Sequence, residues 1–223
     1  MTSVIGPPSE FSRVRRLADR AAYDTATING ILDAAMIGHA GVLRDGRPVV
    51  IPMLFGRVDQ DLYLHGSVAS QLLRGLTGGI DLCFTATVID GLVYARSAFH
   101  HSMNYRSVVI VGRASAVEAA DKTRALRAIV DHITPGRWDE ARPPTDAELR
   151  VTAVLRMPIE EASAKIRAAG PADDPEDLGL PVWAGQVPVA SQFALPVDAD
   201  DLVDGVLPSP AVSRLRQRGA ARG

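Results

Sequence analysis

Apolar residues recur along this chain with two periods, and each change of period marks the edge of an element. Behind Asp24, a residue type that caps helices, Ile28, Ile31 and Leu32 fall on one helical stripe. The segment through Ala35 therefore reads as a helix covering a hydrophobic surface. From His39 the period shortens to two. His39 to Leu43 and Pro48 to Phe55 flank Arg44-Asp45-Gly46-Arg47, whose Asp-Gly pair supplies the positive φ values of a tight hairpin turn. Asp59-Gln60-Asp61 sets a second hairpin between Val58 and Leu62 to Gly66, and Ser67 to Leu76 reads as a short helix stopped by Gly78-Gly79. Ile80 to Ile89 is β-branched and aromatic, Asp90-Gly91 reads as another turn, and Leu92 to Ala95 follows as a strand. Ser107 to Val117 is almost purely aliphatic and predicts a long strand buried on both faces.

Helical spacing returns at Leu126, Ile129, Val130 and Ile133, with Pro135-Gly136 as the stop. Thr145 with Glu148 three residues later is a capping box opening another helix. Thr152 to Pro158 and Ala162 to Arg167 complete the strands. Ala169 to Gly223 is rich in Pro, Asp and Gly and reads as weakly ordered, apart from Pro181 to Pro188. Short strands in hairpins, one helix interrupting them and others packed outside, predict a mainly β fold with helices, a closed or partly closed antiparallel barrel. A doubly wound sheet would need regular alternation of strand and helix, and neither a Gly-x-Gly-x-x-Gly nor a P-loop motif occurs. The expected division is an N-terminal arm over 1–22, a barrel domain over 23–190 and a tail over 191–223.

Composition narrows the function classes. With 223 residues, 47% of them hydrophobic, the chain is large enough for a real core without staples. The single cysteine, Cys83, excludes an internal disulfide and reads as a small core residue; Met1 to Glu10 lacks the apolar run of a signal peptide. A reducing, cytoplasmic setting is the expectation. A net charge of −2 gives no field to recruit nucleic acid or an anionic membrane, and no apolar stretch approaches the roughly 20 residues of a membrane span. A small-molecule partner remains. The four arginines between Arg13 and Arg20 read as a solvated basic face.

The densest polar chemistry precedes the long strand. Tyr105, Arg106 and Ser107 sit where a core strand should meet a polar cleft, a place suited to an anionic, planar ligand. His100 and His101, taken as strand residues, would point to opposite faces, leaving open metal or haem ligation, ligand contact, or a structural hydrogen bond. Glu160 and Glu161 would likewise face apart, against paired-carboxylate chemistry.

Taken as an ordered set, Pro48 to Phe55, Leu62 to Ser70, Ser97 to Val109, Ile159 to Lys165 and Leu180 to Gly185 resemble the pyridoxamine 5′-phosphate oxidase-like flavin-binding proteins. Within them, the flavin-nucleotide-binding branch related to nitroimidazole reductase-like proteins is the nearest in pattern. The resemblance spans about residues 13 to 190. It implies an FMN-binding split β-barrel, a homodimer with FMN between subunits, and a flavin-dependent oxidoreductase using a reduced nicotinamide or similar donor; a non-catalytic flavin binder, or a haem or deazaflavin barrel, are the alternatives. Carried over residue by residue, Ile51, Pro52, Met53 and Leu54 would run along the ring, and His65, Ser67 and Ser70 would meet the phosphate. Tyr105, Arg106 and Ser107 would reach the flavin from the long strand. Trp183 is either a plug over the barrel or an aromatic wall of the cleft. Where the true oxidases carry an Arg-Lys pair for the phosphate, this chain has Val68 and Ala69. The phosphate charge then falls to Arg74, Arg106 or an arginine of the N-terminal arm.

Overall fold

Two positive-φ turns start the architecture. Asp45 (φ 46°) and Gly46 (φ 74°) close the first hairpin, and Asp59 (φ 53°) turns the second. The computed structural model describes residues 9–67 and 78–220. Among these, the strands are β1 (Ala21–Ala22), β2 (Gly38–Arg44), β3 (Arg47–Met53), β4 (Phe55–Val58), β5 (Asp61–Ser67), β6 (Ile80–Tyr94), β7 (Ser102–Ala116), β8 (Thr152–Pro158), β9 (Ala162–Arg167) and β10 (Gly185–Pro188). The helices are α1 (Thr25–Ala34), α2 (Lys122–Ile133), α3 (Asp146–Val151) and α4 (Pro210–Ala220).

One strand organises the rest. The sheet runs β3-β2-β6-β7-β8-β5-β4, all neighbours antiparallel, with β9, β1 and β10 attached beside it. β7 pairs with β6 along nearly its whole length, but divides its other edge between β9 at Tyr105 to Ile110 and β8 at Ser115 and Ala116. That division makes the barrel split. The sheet does not close on itself, which settles the choice between closed and partly closed in favour of the latter.

The interior is filled by Ile28, Leu32, Phe55, Leu64, Phe84, Ile110 and Leu155, with Phe55 and Phe84 edge-on at 5.1 Å. Each such side chain contributes about 1.5–3 kcal/mol by leaving water. α1 presents its predicted stripe to β6, β7 and β9, and Asp24 caps it by accepting from the Thr27 N–H at 2.8 Å. α2 lies against β4 and β5, so close that a Cβ at Gly56 would sit 2.5 Å from the backbone of Ala128 and Ile129. The Thr145–Glu148 capping box forms as expected. With Arg142 beside it and the Thr145 N–H and hydroxyl donating to it, the Glu148 carboxyl is held down to about 2.

Four local expectations change. Asp90-Gly91 is not a turn: β6 continues through it with a bulge, Ile89 pairing with Tyr105 and Gly91 with Asn104, so Asp90 is the extra residue. The bulge reverses the in–out phase, placing Ala86 inward before it and Gly91 and Val93 inward after it. β7 begins at Ser102, five residues early, and His100 ends a 3-10 turn over Ala98 to His100. The two histidines are thus not strand neighbours. Cys83 faces outward, between inward Leu82 and Phe84, and is exposed. In the C-terminal stretch, α4 is fastened by Glu140, which accepts from the Ala211 N–H at 2.9 Å and from the Ser209 hydroxyl. The helix expected over Ser67 to Leu76 lies, beyond Ser67 at the end of β5, outside the described residues.

Candidate functional site

Strand alternation separates the predicted site residues before any ligand is considered. Ile51 and Met53 pack against the core, whereas Pro52 and Leu54 are exposed. β3 is an edge strand, and a proline has no N–H for the ladder, so Pro48 and Pro52 turn their nitrogens away from β2. The outer edge of β3 therefore offers carbonyl groups rather than a donor at Pro52. The Phe55 to Leu64 pairing brings the Met53-Leu54 corner alongside the His65–Ser67 end of β5. His65 and Ser67 share the face of β5 opposite Leu64, and burial pushes the His65 imidazole below its ordinary value. Ser70 lies outside the described residues.

The second group sits at the other end of the molecule. Tyr105 to Ser107 pair with Ile89 to Thr87, whereas His65 pairs with Val154, beside the far end of β7. At about 3.3 Å per residue, the nine steps from Ser107 to Ala116 amount to roughly 30 Å of strand. One chain does not bring the two groups together. Nor do Tyr105, Arg106 and Ser107 act as a unit: Tyr105 and Ser107 face outward, and Arg106 faces the interior beside Val88.

Arg106 meets Asp90, the extra residue of the bulge, in a two-pronged pair, Nε at 2.9 Å and Nη2 at 2.7 Å. The carboxylate's hydrogen bond raises the guanidinium pKa. The pair borders a cleft of about 360 Å³ between the ends of α1 and α2, where Met36, Val88, His132 and Phe193 supply the other walls. Of the predicted site residues that are described, Arg106 is the one that lines it.

Around the start of β7 an aromatic and polar cluster collects. Tyr94 stacks edge-on with His101 at 5.4 Å and lies 6.0 Å from Trp183, which is 63% exposed; Phe99 is 88% exposed. Trp183 thus lies at the surface beside Tyr94. His101 Nδ1 lies 3.0 Å from the Ser97 carbonyl, and His100 Nε2 lies 3.1 Å from Asp174. Bonding to a carbonyl requires the proton on Nδ1 of His101, which leaves Nε2 as a lone-pair donor.

Sequence reading missed a buried polar network beneath this cluster. Asn104 donates to Gln186 at 2.6 Å and accepts from Arg167 and from the Ala169 N–H at 3.1 Å. Arg167 also donates to the carbonyls of Ala169 at 2.7 Å and Gly170 at 2.9 Å. Its signal was an arginine ending the closing strand, Ala162 to Arg167. No group of three or more His, Cys, Asp or Glu among the described residues has the arrangement of a metal site, and no described helix is long and apolar enough to cross a membrane.

The family model described as pyridoxamine 5′-phosphate oxidase matches residues 24–166. Among solved structures, the flavocytochrome Anf3 from Azotobacter vinelandii is 38% identical, with a TM-score of 0.87 over 94% of this chain and 98% of that one. The FAD and heme binding protein from Mycobacterium smegmatis is 34% identical, with a TM-score of 0.84 over 88% of this chain and 97% of that one. Comparison with curated protein sequences gives no match.

Proposed function

The chain belongs to the pyridoxamine 5′-phosphate oxidase family, and from that premise we propose that it is a flavin- and haem-binding redox protein working as a homodimer. The observation that carries the reading is its end-to-end likeness to a flavocytochrome, 38% identical over 94% of the chain. When bound together, a flavin takes electrons in pairs and a haem passes them singly.

The residues present fit both groups. For haem, His101 has the proton fixed on Nδ1 by the Ser97 carbonyl, the arrangement in which Nε2 serves as a metal ligand. Exposed Phe99, Trp183 and Met103 beside it form an apolar surface of the kind a macrocycle covers. For the flavin, the β3 edge and the His65–Ser67 end of β5 form one wall, and Tyr105 with Ser107 another. These walls lie at opposite ends of β7, and a second copy would bring one against the other. FAD, which the Mycobacterium smegmatis protein binds by its description, is favoured over the FMN implied by the sequence resemblance.

The visible spectrum of the purified protein, with acid release of the chromophore, tests this. Flavin and Soret bands together, FAD on release, and loss of the Soret band alone in His101→Ala are the expected results. A protein that carries neither group and takes up neither on reconstitution would end the reading; released FMN would overturn the choice of flavin.

A further inference from the structure

Two arginines on neighbouring strands of this fold meet opposite surroundings. Arg106 has its own carboxylate, Asp90. Arg167, only 6% exposed, has none: its partners are Asn104 and two main-chain carbonyls, all neutral. No Asp or Glu among the described residues pairs with it, and the residues outside that set include neither type. Burial lowers its pKa, and the charge of Arg20 opposes it further.

A buried guanidinium without a counter-ion is costly. Arg167 has five N–H donors, and the three bonds named leave Nε–H and one Nη2–H free for a further acceptor, with Nε not sealed from solvent. The surroundings add positive charge. Arg20, half-buried, has no side-chain partner among the described residues. It precedes β1, whose Ala21 pairs with Lys165, and Lys165 donates to the Arg16 carbonyl at 3.0 Å. Leu17, in the left-handed region at φ 57°, makes the turn that sets Arg20 there, and the Arg20 N–H closes that turn on the Leu17 carbonyl at 3.1 Å. Non-glycine residues adopt this conformation at a cost, which the pinned arm sustains. Tyr105 and Ser107, opposite Arg167 and Lys165 in the β7–β9 register, lie on the same face, the Ser107 hydroxyl donating to the Lys165 carbonyl at 3.4 Å.

We propose that Arg20 and Arg167 form a site for a phosphate-type oxyanion, entered from the face of Tyr105 and Ser107. The anion would supply the counter-charge the chain withholds, and the guanidinium fork suits its geometry. Two sources carry this chemistry: the phosphate of the flavin proposed above, or the phosphate of a separate ligand. Only the first rests on the flavin reading.

Titration calorimetry with inorganic phosphate, on the protein as purified and after its chromophore is stripped, tests the site. Saturable binding of one phosphate per chain is expected, weakened about tenfold by R20Q through loss of a charge-assisted contact. R167K, which keeps the charge and loses the fork, should weaken it as well. Binding to the stripped form alone would assign the site to the flavin's phosphate, and binding to both forms to a separate ligand. A protein that purifies without flavin and still binds phosphate would leave this site standing while the flavin reading falls. Absence of saturable binding in every form, or unchanged affinity in R20Q with its melting temperature intact, would overturn the proposal. R20Q carries the test should R167K fail to fold.

Discussion

The two ends of β7 are built on different principles. At its C-terminal end, beside β8 and β5, position is set by packing: α2 rests on β4 with no space for a methyl group at Gly56, and Ala125, Ile129 and Val154 are buried together around Tyr63, with charged groups such as Arg156 and Asp61, 2.8 Å apart, at the rim. At its N-terminal end, β6, β9 and β10 converge on polar groups, with Asn104, Arg167 and Gln186 bonded in series and Asp90 holding Arg106. The first arrangement fixes position by shape and loses heavily to any added volume. The second fixes it by directed hydrogen bonds and tolerates volume, but not the loss of a partner. Exposed aromatics and an arginine without a carboxylate partner are held in place at the second end, while the first presents the His65–Ser67 wall on a rigidly packed base.

Adding one methyl group at each end should break the symmetry most visibly. Gly56→Ala places a Cβ against the α2 backbone and is expected to cost about 3 kcal/mol, the upper part of the overpacking range. Gly91→Ala meets the Val187 carbonyl at 3.1 Å, where the short β10 gives way, and should cost clearly less. Equilibrium urea unfolding of the two variants decides, and equal losses would deny the contrast.

Next in size is the reverse experiment. Asn104→Ala removes the acceptor of buried Arg167 and of the Ala169 N–H, for an expected loss of about 2 kcal/mol. The same unfolding measurement, with Asn104→Asp as companion, checks it. Asp supplies the missing negative charge and should hold stability better than Ala does.

The smallest effect is a pH dependence. Burial depresses the His65 imidazole in the folded state below its ordinary 6.5, so the unfolded chain binds a proton first as pH falls. Stability of the cofactor-free protein should therefore decline as pH drops below about 6.5 and level off below the folded-state value. His65→Gln should flatten that decline in melting temperature against pH. An unchanged slope would mean that the imidazole titrates as it does in water.

Much of this was legible from local signals. Asp45-Gly46 and Asp59-Gln60 announce their turns because positive φ is confined to few residue types. The Ile28, Ile31, Leu32 stripe announces α1, and Thr145 with Glu148 announces α3. The bulge at Asp90 was hidden because Asp-Gly is also the commonest hairpin signal, and only an uninterrupted partner strand separates the two readings. The start of β7 was hidden too, since Ser102 to Arg106 is polar where a buried strand is apolar. It pairs with β6 and β9 at an end of the sheet where one face is open.

Of the site, residue types were readable and their company was not. Alternation alone turns Arg106 from Tyr105 and Ser107, yet its partner Asp90 and the solitude of Arg167 depend on which strands lie side by side. Period, composition and ordered motifs were enough for most of the strands, the turns at Asp45-Gly46 and Asp59-Gln60, the apolar face of α1 and the family. Tertiary structure decided that β7 would share one edge between β8 and β9, that the two halves of the predicted flavin site would stand at opposite ends of it, and that one arginine would be paired and another left alone. Long-range pairing sets which charges meet, and a charge balance made across strands leaves no trace in the local pattern of either.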